Sequence, residues 1–327
     1  MAETLSGKPA PKISDNLRGK QIPHIGVLSR QELEEIIALG EWFRDNRYDM
    51  TYVNLLEGRV QCLIFVYEST RTRLGFESAM AQLGGSTVYM AANTTQMGRG
   101  ESIVDTARAV DQYIDVFAGR LWKHTDIEQA CENMHVPVLN ACTPLDHSTH
   151  VIGELMAIKS AKGKLEGLNL VYTGMARGIL HSFIRVCPVL GININLAIPQ
   201  SYAETVNQDV LAEGRALAKK NATRLEIVTD LKEAVKDADF IQASTLMRSM
   251  LAGEQSPEEK RVEIPKWTVT KDVLACAKPD VVYSHSGPAH RDVCASGQVM
   301  DEARTAIQAE ANNAIYSKKA LLALIVK

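Results

Sequence analysis

The sequence predicts an α/β protein made of two doubly wound parallel-sheet domains, with a C-terminal helix packing back on the first. Three observations carry this. The chain has 327 residues, more than one hydrophobic core usually serves, so two domains of roughly 150 residues each are expected. Short apolar runs alternate with segments of helical period, as parallel strands joined by crossover helices do. The alternation runs in two series, separated by a long helical stretch from His147 to Lys162.

After a polar N-terminal segment, SRQELEEIIALGEWFRDN opens on Ser29 as an N-cap and carries apolar residues at helical spacing, with Gly40 tolerated inside it. VQCLIFVYE is a short, β-branched apolar run and reads as a strand; STRTRLGFESAMAQLG returns to helical spacing, and STVYM is again strand-like. A helix near ESIVDTARAVDQY, a strand at IDVFAG, a helix at TDIEQACENM and a strand at VPVLNA complete the first series. The second begins with LNLVYTG as a buried strand, RGILHSFIRVCPVLG as a helix and INLAIP as a strand ending at proline. Helices then alternate with the strands LEIVT, ADFIQAS and PDVVYSHS. From Asp301 to Lys327 one or two helices end in LLALIV, a tail too apolar to stay in water and expected to pack on the first domain. The domains are therefore expected at residues 1–147 plus 301–327 and at residues 148–300, with room for a cleft between them.

Composition narrows the function classes. Hydrophobic residues make up 46% and charged residues 23%, which excludes a disordered or collagenous chain. No run approaches the roughly 18 apolar residues of a membrane span, and the N-terminus lacks signal-peptide character, so a cytoplasmic protein is expected. Lys and Arg number 36 against 39 Asp and Glu, a net charge of −3, too balanced for a nucleic-acid or membrane-surface binder. An anion must then be bound in a local pocket. The six cysteines form no CxxC pair, and reduced, mostly buried thiols are expected.

The segment Ser69-Thr70-Arg71-Thr72-Arg73 stands between a strand and a helix. Backbone N–H groups and the positive end of the helix dipole meet hydroxyls and guanidinium groups there, which makes a phosphate cradle. The plain alternative is a capping serine followed by surface arginines.

STRTRLGFESAMAQLGGSTV followed by TQMGRGESIVDTARAVDQYIDVFAGR resembles the aspartate and ornithine carbamoyltransferase family, in which the STRTR loop binds carbamoyl phosphate. His147-Ser148-Thr149-His150 stands where the family has His-Pro-Thr-Gln or His-Pro-Cys-Gln, HSGPAHR resembles the ornithine branch's HCLPAHR, and KKALLALIV resembles the family's last helix. The resemblance spans nearly the whole chain. It implies that Ser69, Thr70, Arg71 and Thr72 hold the phosphate, and that Thr72, Arg120 and His147 meet the carbamoyl oxygen. Arg71, Thr72, Arg120 and His147 would thus be the catalytic set. Gln96 matches a residue that reaches a neighbouring subunit's site, which implies a homotrimer or a multiple of trimers. Gly287-Pro288 matches a cis step whose carbonyls accept from the carbamoyl NH₂, and His150 stands in for the family Gln at the same group.

The acceptor half departs from both branches. Ser148 and His150 replace Pro and Gln, Ser286 and Gly287 replace the Cys and Leu of the ornithine motif, and Ser244 to Leu251 carries no Asp. Met175 takes the place of an Asp of the aspartate branch. Arg177 and Arg248 are the candidates for gripping a carboxylate-bearing acceptor, with His181, Ser249, Met250, His285 and Ser286 lining its site. The expected activity is transfer of a carbamoyl group from carbamoyl phosphate to a small amine, an amino acid or derivative, with no cofactor. The second reading is a non-catalytic paralogue that keeps the anion site for regulation; a dinucleotide oxidoreductase is disfavoured because no GxGxxG follows either first strand. His147 and His150 have HxxH spacing, but with no carboxylate or Cys seen at ligand spacing beside them no metal is expected.

Overall fold

The computed structural model describes residues 9–246, 264–302 and 305–326. They divide into two compact units, one running to Met156 and resuming at Ala311, the other from Ala157 to Glu310.

In the first unit, strands β1 (Val60–Phe65), β2 (Ser86–Ala91), β3 (Val116–Arg120) and β4 (Val138–Cys142) form one sheet in the order β2-β1-β3-β4, and every pair is parallel. Central strand β1 is buried from Gln61 to Phe65, which is why it reads as an unbroken apolar run. Helices α1 (Arg30–Asp45), α2 (Thr70–Gln82), α3 (Ile103–Val110), α4 (His124–Asn133) and the first turns of α5 (Ser148–Lys162) belong to this unit. Ser29 caps α1 as expected and forms a full capping box: its hydroxyl accepts from Glu32 N–H, and the Glu32 carboxylate accepts from Ser29 N–H at 2.7 Å. One core packs Cys62, Ile64, Ile103, Ala107, Phe117, Leu121, Ile127 and Val138 together. Met90 and Met97 lie against it. Gly40 has a packing reason: a Cβ there would stand 2.9 Å from the Met156 sulfur.

The second unit holds β5 (Asn169–Thr173), β6 (Asn193–Ala197), β7 (Leu225–Val228), β8 (Phe240–Ala243) and β9 (Val282–His285) in the order β7-β6-β5-β8-β9, again all parallel. Helices α6 (Gly178–Val189) and α7 (Gln208–Lys220) pack so closely that a Cβ on Gly214 would lie 2.8 Å from the Ile184 carbonyl. A core of Val171, Ile241, Trp267, Val281 and Tyr283 covers the sheet.

The last helix, α8 (Ile307–Ile325), returns the chain to the first unit. Leu321 to Val326 are at most 1% exposed, and the Ile325 carbonyl accepts from Gly19 N–H at 2.8 Å. The apolar tail thus packs on the first unit, as its composition requires. No helix among the described residues is long and apolar enough to cross a membrane. No disulfide joins the six cysteines among the described residues; burial pushes the Cys62 and Cys131 thiols up to about 12, whereas Cys276 is exposed.

Candidate active site

In open parallel sheets, ligands bind beyond the carboxyl ends of the strands where the strand order reverses. In the first unit the reversal lies between β1 and β3. The loop leaving β1 carries Ser69 to Arg73, and β3 ends on Arg120. Ser69 is the N-cap residue of α2, extended at φ −158° and ψ 112°, and its side chain makes no capping bond. That removes the plain reading of a capping serine. The first-turn N–H groups of α2 receive no side-chain cap from Ser69, while Thr72 on that turn is 5% exposed.

The arginines divide by partner. Arg73 is bound to Glu77 at 2.8 Å and lies 3.6 Å over the Tyr89 ring. Its charge is therefore spent within the unit, contrary to its expected place in the cationic pocket. Arg71 is exposed and Arg120 half-buried, and neither has an ion pair among the described residues. The β3–β4 ladder shifts register between Gly119 and Arg120, the kind of irregularity that can turn a side chain toward a site.

His147, just before α5, is 5% exposed. Burial holds its protonation well below the ordinary histidine value, and the charges of His150, Arg120, Lys318 and Arg71 push it the same way. The imidazole is thus neutral at pH 7, and both unpaired arginines act on it. Asp146 fixes the turn, accepting from Ile25 N–H at 3.0 Å and from Ser148 N–H at 2.6 Å. The His150 ring lies 5.0 Å from that of His147, and its Nε2 is 2.9 Å from Oε1 of fully buried Glu154. Glu154 corrects the statement that no carboxylate stands at ligand spacing: it follows His150 by one helical turn. Gln96 is exposed in the short 3₁₀ turn Gln96–Arg99.

In the second unit the strand order reverses between β5 and β8. The loops there approach closely, since a Cβ on Gly174, at φ +141°, would lie 2.9 Å from the Ser244 carbonyl. Met175 N–H donates to the Thr245 carbonyl at 2.9 Å, and exposed Arg177 follows as the N-cap residue of α6. Beyond β9 the Gly287–Pro288 peptide is cis, His285 Nδ1 accepts from Gly287 N–H at 2.8 Å, and the Pro288 carbonyl faces Thr245 Oγ1 at 3.5 Å. Three expected acceptor residues are buried, His285 among them at 1% exposed. Ser286 is 2% exposed, with its Oγ 3.1 Å from Gln242 Nε2, and His181 Nε2 accepts from Asn207 N–H at 3.1 Å. Met175 is buried. Met247, Arg248, Ser249 and Met250 lie outside the described residues.

A family model for the carbamoyl phosphate-binding domain of aspartate/ornithine carbamoyltransferases matches residues 20–160, and one for their Asp/Orn-binding domain matches residues 166–325. The chain belongs to the aspartate/ornithine carbamoyltransferase family. It is 34% identical over 315 residues to an ornithine carbamoyltransferase of Listeria monocytogenes serovar 1/2a, covering 96% of this chain and 98% of the relative. The solved ornithine carbamoyltransferase of Pyrococcus furiosus superposes with a TM-score of 0.89 at 31% identity, covering 95% of this chain and 98% of the other. Aspartate transcarbamoylase of Trypanosoma cruzi, with aspartate and phosphate, shares the fold at a TM-score of 0.85 and 23% identity, with 98% of both chains covered. Membership makes the chain a carbamoyltransferase. These proteins are all named as enzymes and lend no support to the non-catalytic reading.

Within this carbamoyltransferase, four neighbours of the site were not singled out from the sequence: Lys318, Tyr67, Trp122 and Glu154. Lys318 is 1% exposed, and its Nζ donates to the Ala314 carbonyl at 2.9 Å. Tyr67 lies under Arg120, and Trp122 stacks on Tyr67. Only Glu154 had a sequence signal, its i+4 spacing from His150.

Proposed function

We propose that this protein transfers the carbamoyl group of carbamoyl phosphate to the amine of a small, carboxylate-bearing acceptor and releases phosphate. One observation carries the reading: Arg71 and Arg120, the latter at the strand-order reversal of the first unit, have no carboxylate partner among the described residues and act on the buried His147. Ser69, Thr70, Arg71 and Thr72 hold the phosphate. Thr72, Arg120 and His147 donate to the carbamoyl oxygen, which gains negative charge as the amine lone pair attacks the carbamoyl carbon. The bond between the carbamoyl carbon and the bridging phosphate oxygen then breaks, the pair leaves with phosphate, and the proton of the attacking amine passes to that phosphate. No covalent enzyme intermediate is needed; orientation and preorganised donors suffice. The carbonyls of Gly287 and Pro288, with His150, accept from the carbamoyl NH₂.

The acceptor site belongs to the second domain, taken as residues 148–300, with residues 1–147 and 301–327 forming the carbamoyl phosphate domain. Arg177 and Arg248 grip the acceptor carboxylate, Ser249, Met250 and His285 line the site, and His181 and Ser286 support it from within. Ornithine and aspartate are the acceptors named for relatives. The Asp-free Ser244–Leu251 segment disfavours plain ornithine, because it offers no Asp to hold the amino acid's ammonium group, and Met175, in place of an Asp of the aspartate branch, weakens the case for aspartate. The assembly is a cytoplasmic homotrimer to which Gln96 contributes across subunits.

Calorimetric titration with carbamoyl phosphate, followed by phosphate release over a panel of amines including ornithine and aspartate, tests this. Saturable binding and turnover with one carboxylate-bearing amine are expected. No binding, or binding without turnover on any amine, overturns the proposal.

A further inference from the structure

An arginine at an anion site must be oriented without losing its charge, and a carboxylate partner that orients a guanidinium also neutralises it. Arg73 shows that cost, bound to Glu77 as well as stacked on Tyr89. Arg120 is held differently. Its guanidinium carbon lies 4.1 Å from the Tyr67 ring centroid, and its Nε is buried without a hydrogen-bond partner among the described residues. Tyr67 is itself braced. Its ring stacks on Trp122 with centroids 4.4 Å apart and planes 26° apart, and its hydroxyl faces the carbonyl of Cys142, the register partner of Arg120, at 3.5 Å. Trp122 is 60% exposed, so burial in the core does not explain an indole there.

We propose that Tyr67, braced by Trp122, is the positioning residue for Arg120: the ring face orients the guanidinium through a cation–π contact and leaves its full charge to the carbamoyl phosphate. The inference rests on the assignment of Arg120 to the carbamoyl oxygen. A neutral ring supplies attraction and direction while adding no negative charge beside the substrate.

Three variants separate positioning from mere packing. Tyr67→Phe keeps the ring face, Tyr67→Leu removes it, and Trp122→Ala removes the brace at an exposed position. Carbamoyl phosphate affinity, kcat and KM are measured for each, with circular dichroism to verify folding. Tyr67→Phe should stay within about twofold of wild type, whereas Tyr67→Leu should lose about tenfold in kcat/KM for carbamoyl phosphate, the scale of a partly desolvated cation–π contact. Trp122→Ala should fall between them. Trp42 and Trp267 are buried, so titration with carbamoyl phosphate should change tryptophan emission in wild type and not in Trp122→Phe. Folded Tyr67→Leu with wild-type constants overturns the positioning role; if that variant does not fold, wild-type constants in Trp122→Ala overturn it. Wild type that binds no carbamoyl phosphate overturns the site assignment, and the inference with it.

Discussion

His147 is a buried imidazole surrounded by positive charge, and its chemistry follows from that position. A proton on it would be opposed by burial first, then by His150, Arg120, Lys318 and Arg71. The folded protein therefore binds fewer protons here than the unfolded chain, whose histidines titrate near 6.5. Stability rises with pH wherever the unfolded state binds more protons, so this group costs stability below pH 6.5 and nothing well above it. Urea midpoints measured from pH 5 to 8 should fall toward acid in wild type, and His147→Gln should flatten that fall by up to about 1.4 kcal/mol per pH unit. An unchanged slope in the variant would show that His147 titrates normally. The neutral ring also keeps one N–H donor available near pH 7. Under the proposed function Arg120 is its charged counterpart at the oxyanion: Arg120→Ala should leave the circular dichroism spectrum intact and reduce kcat by about 10²–10³, the loss typical of one missing oxyanion donor. Near-wild-type turnover in a folded Arg120→Ala protein would remove it from the catalytic set.

Strand β3 delivers Arg120, and its preceding glycine makes that delivery possible. A Cβ on Gly119 would stand 2.9 Å from both Ile127 Cδ1 and Phe117 Cε1, at the point where the register to β4 shifts. Gly119→Ala should therefore cost about 1–3 kcal/mol of stability by overpacking and weaken carbamoyl phosphate binding by turning Arg120. Thermal melts and calorimetry check both, and a variant with wild-type melting and affinity would refute the steric account. Elements of this kind divide sharply in how far they can be read from sequence. The nine strands and the longer helices were legible because buried parallel strands are unbroken apolar runs and the helices carry a 3.6-residue period. Ser29 was legible as a cap because the capping box is local. The fate of Arg73 was not, although Glu77 stands four residues away, because ion pairing and phosphate binding make the same demand on sequence. Tyr67 and Trp122 meet only because β1 and β3 are neighbours in the sheet, and no spacing along the chain records that contact. Ser286 and His181 were singled out by motif, yet the local hydrogen bonds that turn them inward depend on β8 and on the start of α7.

At the scale of the molecule, a net charge of −3 coexists with an arginine-bearing anion site because selectivity is local. Among the described residues Arg71 and Arg120 lack the carboxylate partners that Arg18, Arg59, Arg73, Arg185 and Arg291 have. Under the proposed function the loops leaving β1, β3, β5 and β8 follow one rule, the reversal of strand order in each unit, while His147 and Gly287–Pro288 follow the edge strands β4 and β9. Gln96 stands outside that rule: it is exposed on a 3₁₀ turn after edge strand β2. A glutamine that serves a neighbouring copy's site would occupy such a position, and subunit mixing tests this directly. Light scattering should give three times the 35.9 kDa chain mass, or a multiple of that. Arg71→Ala and Gln96→Ala proteins, each nearly inactive alone, should regain activity when dissociated and reassembled together, because some sites then combine an intact Arg71 from one chain with an intact Gln96 from another. Mixtures no more active than their components, or a monomer in solution, would confine the site to one chain and leave Gln96 a surface residue.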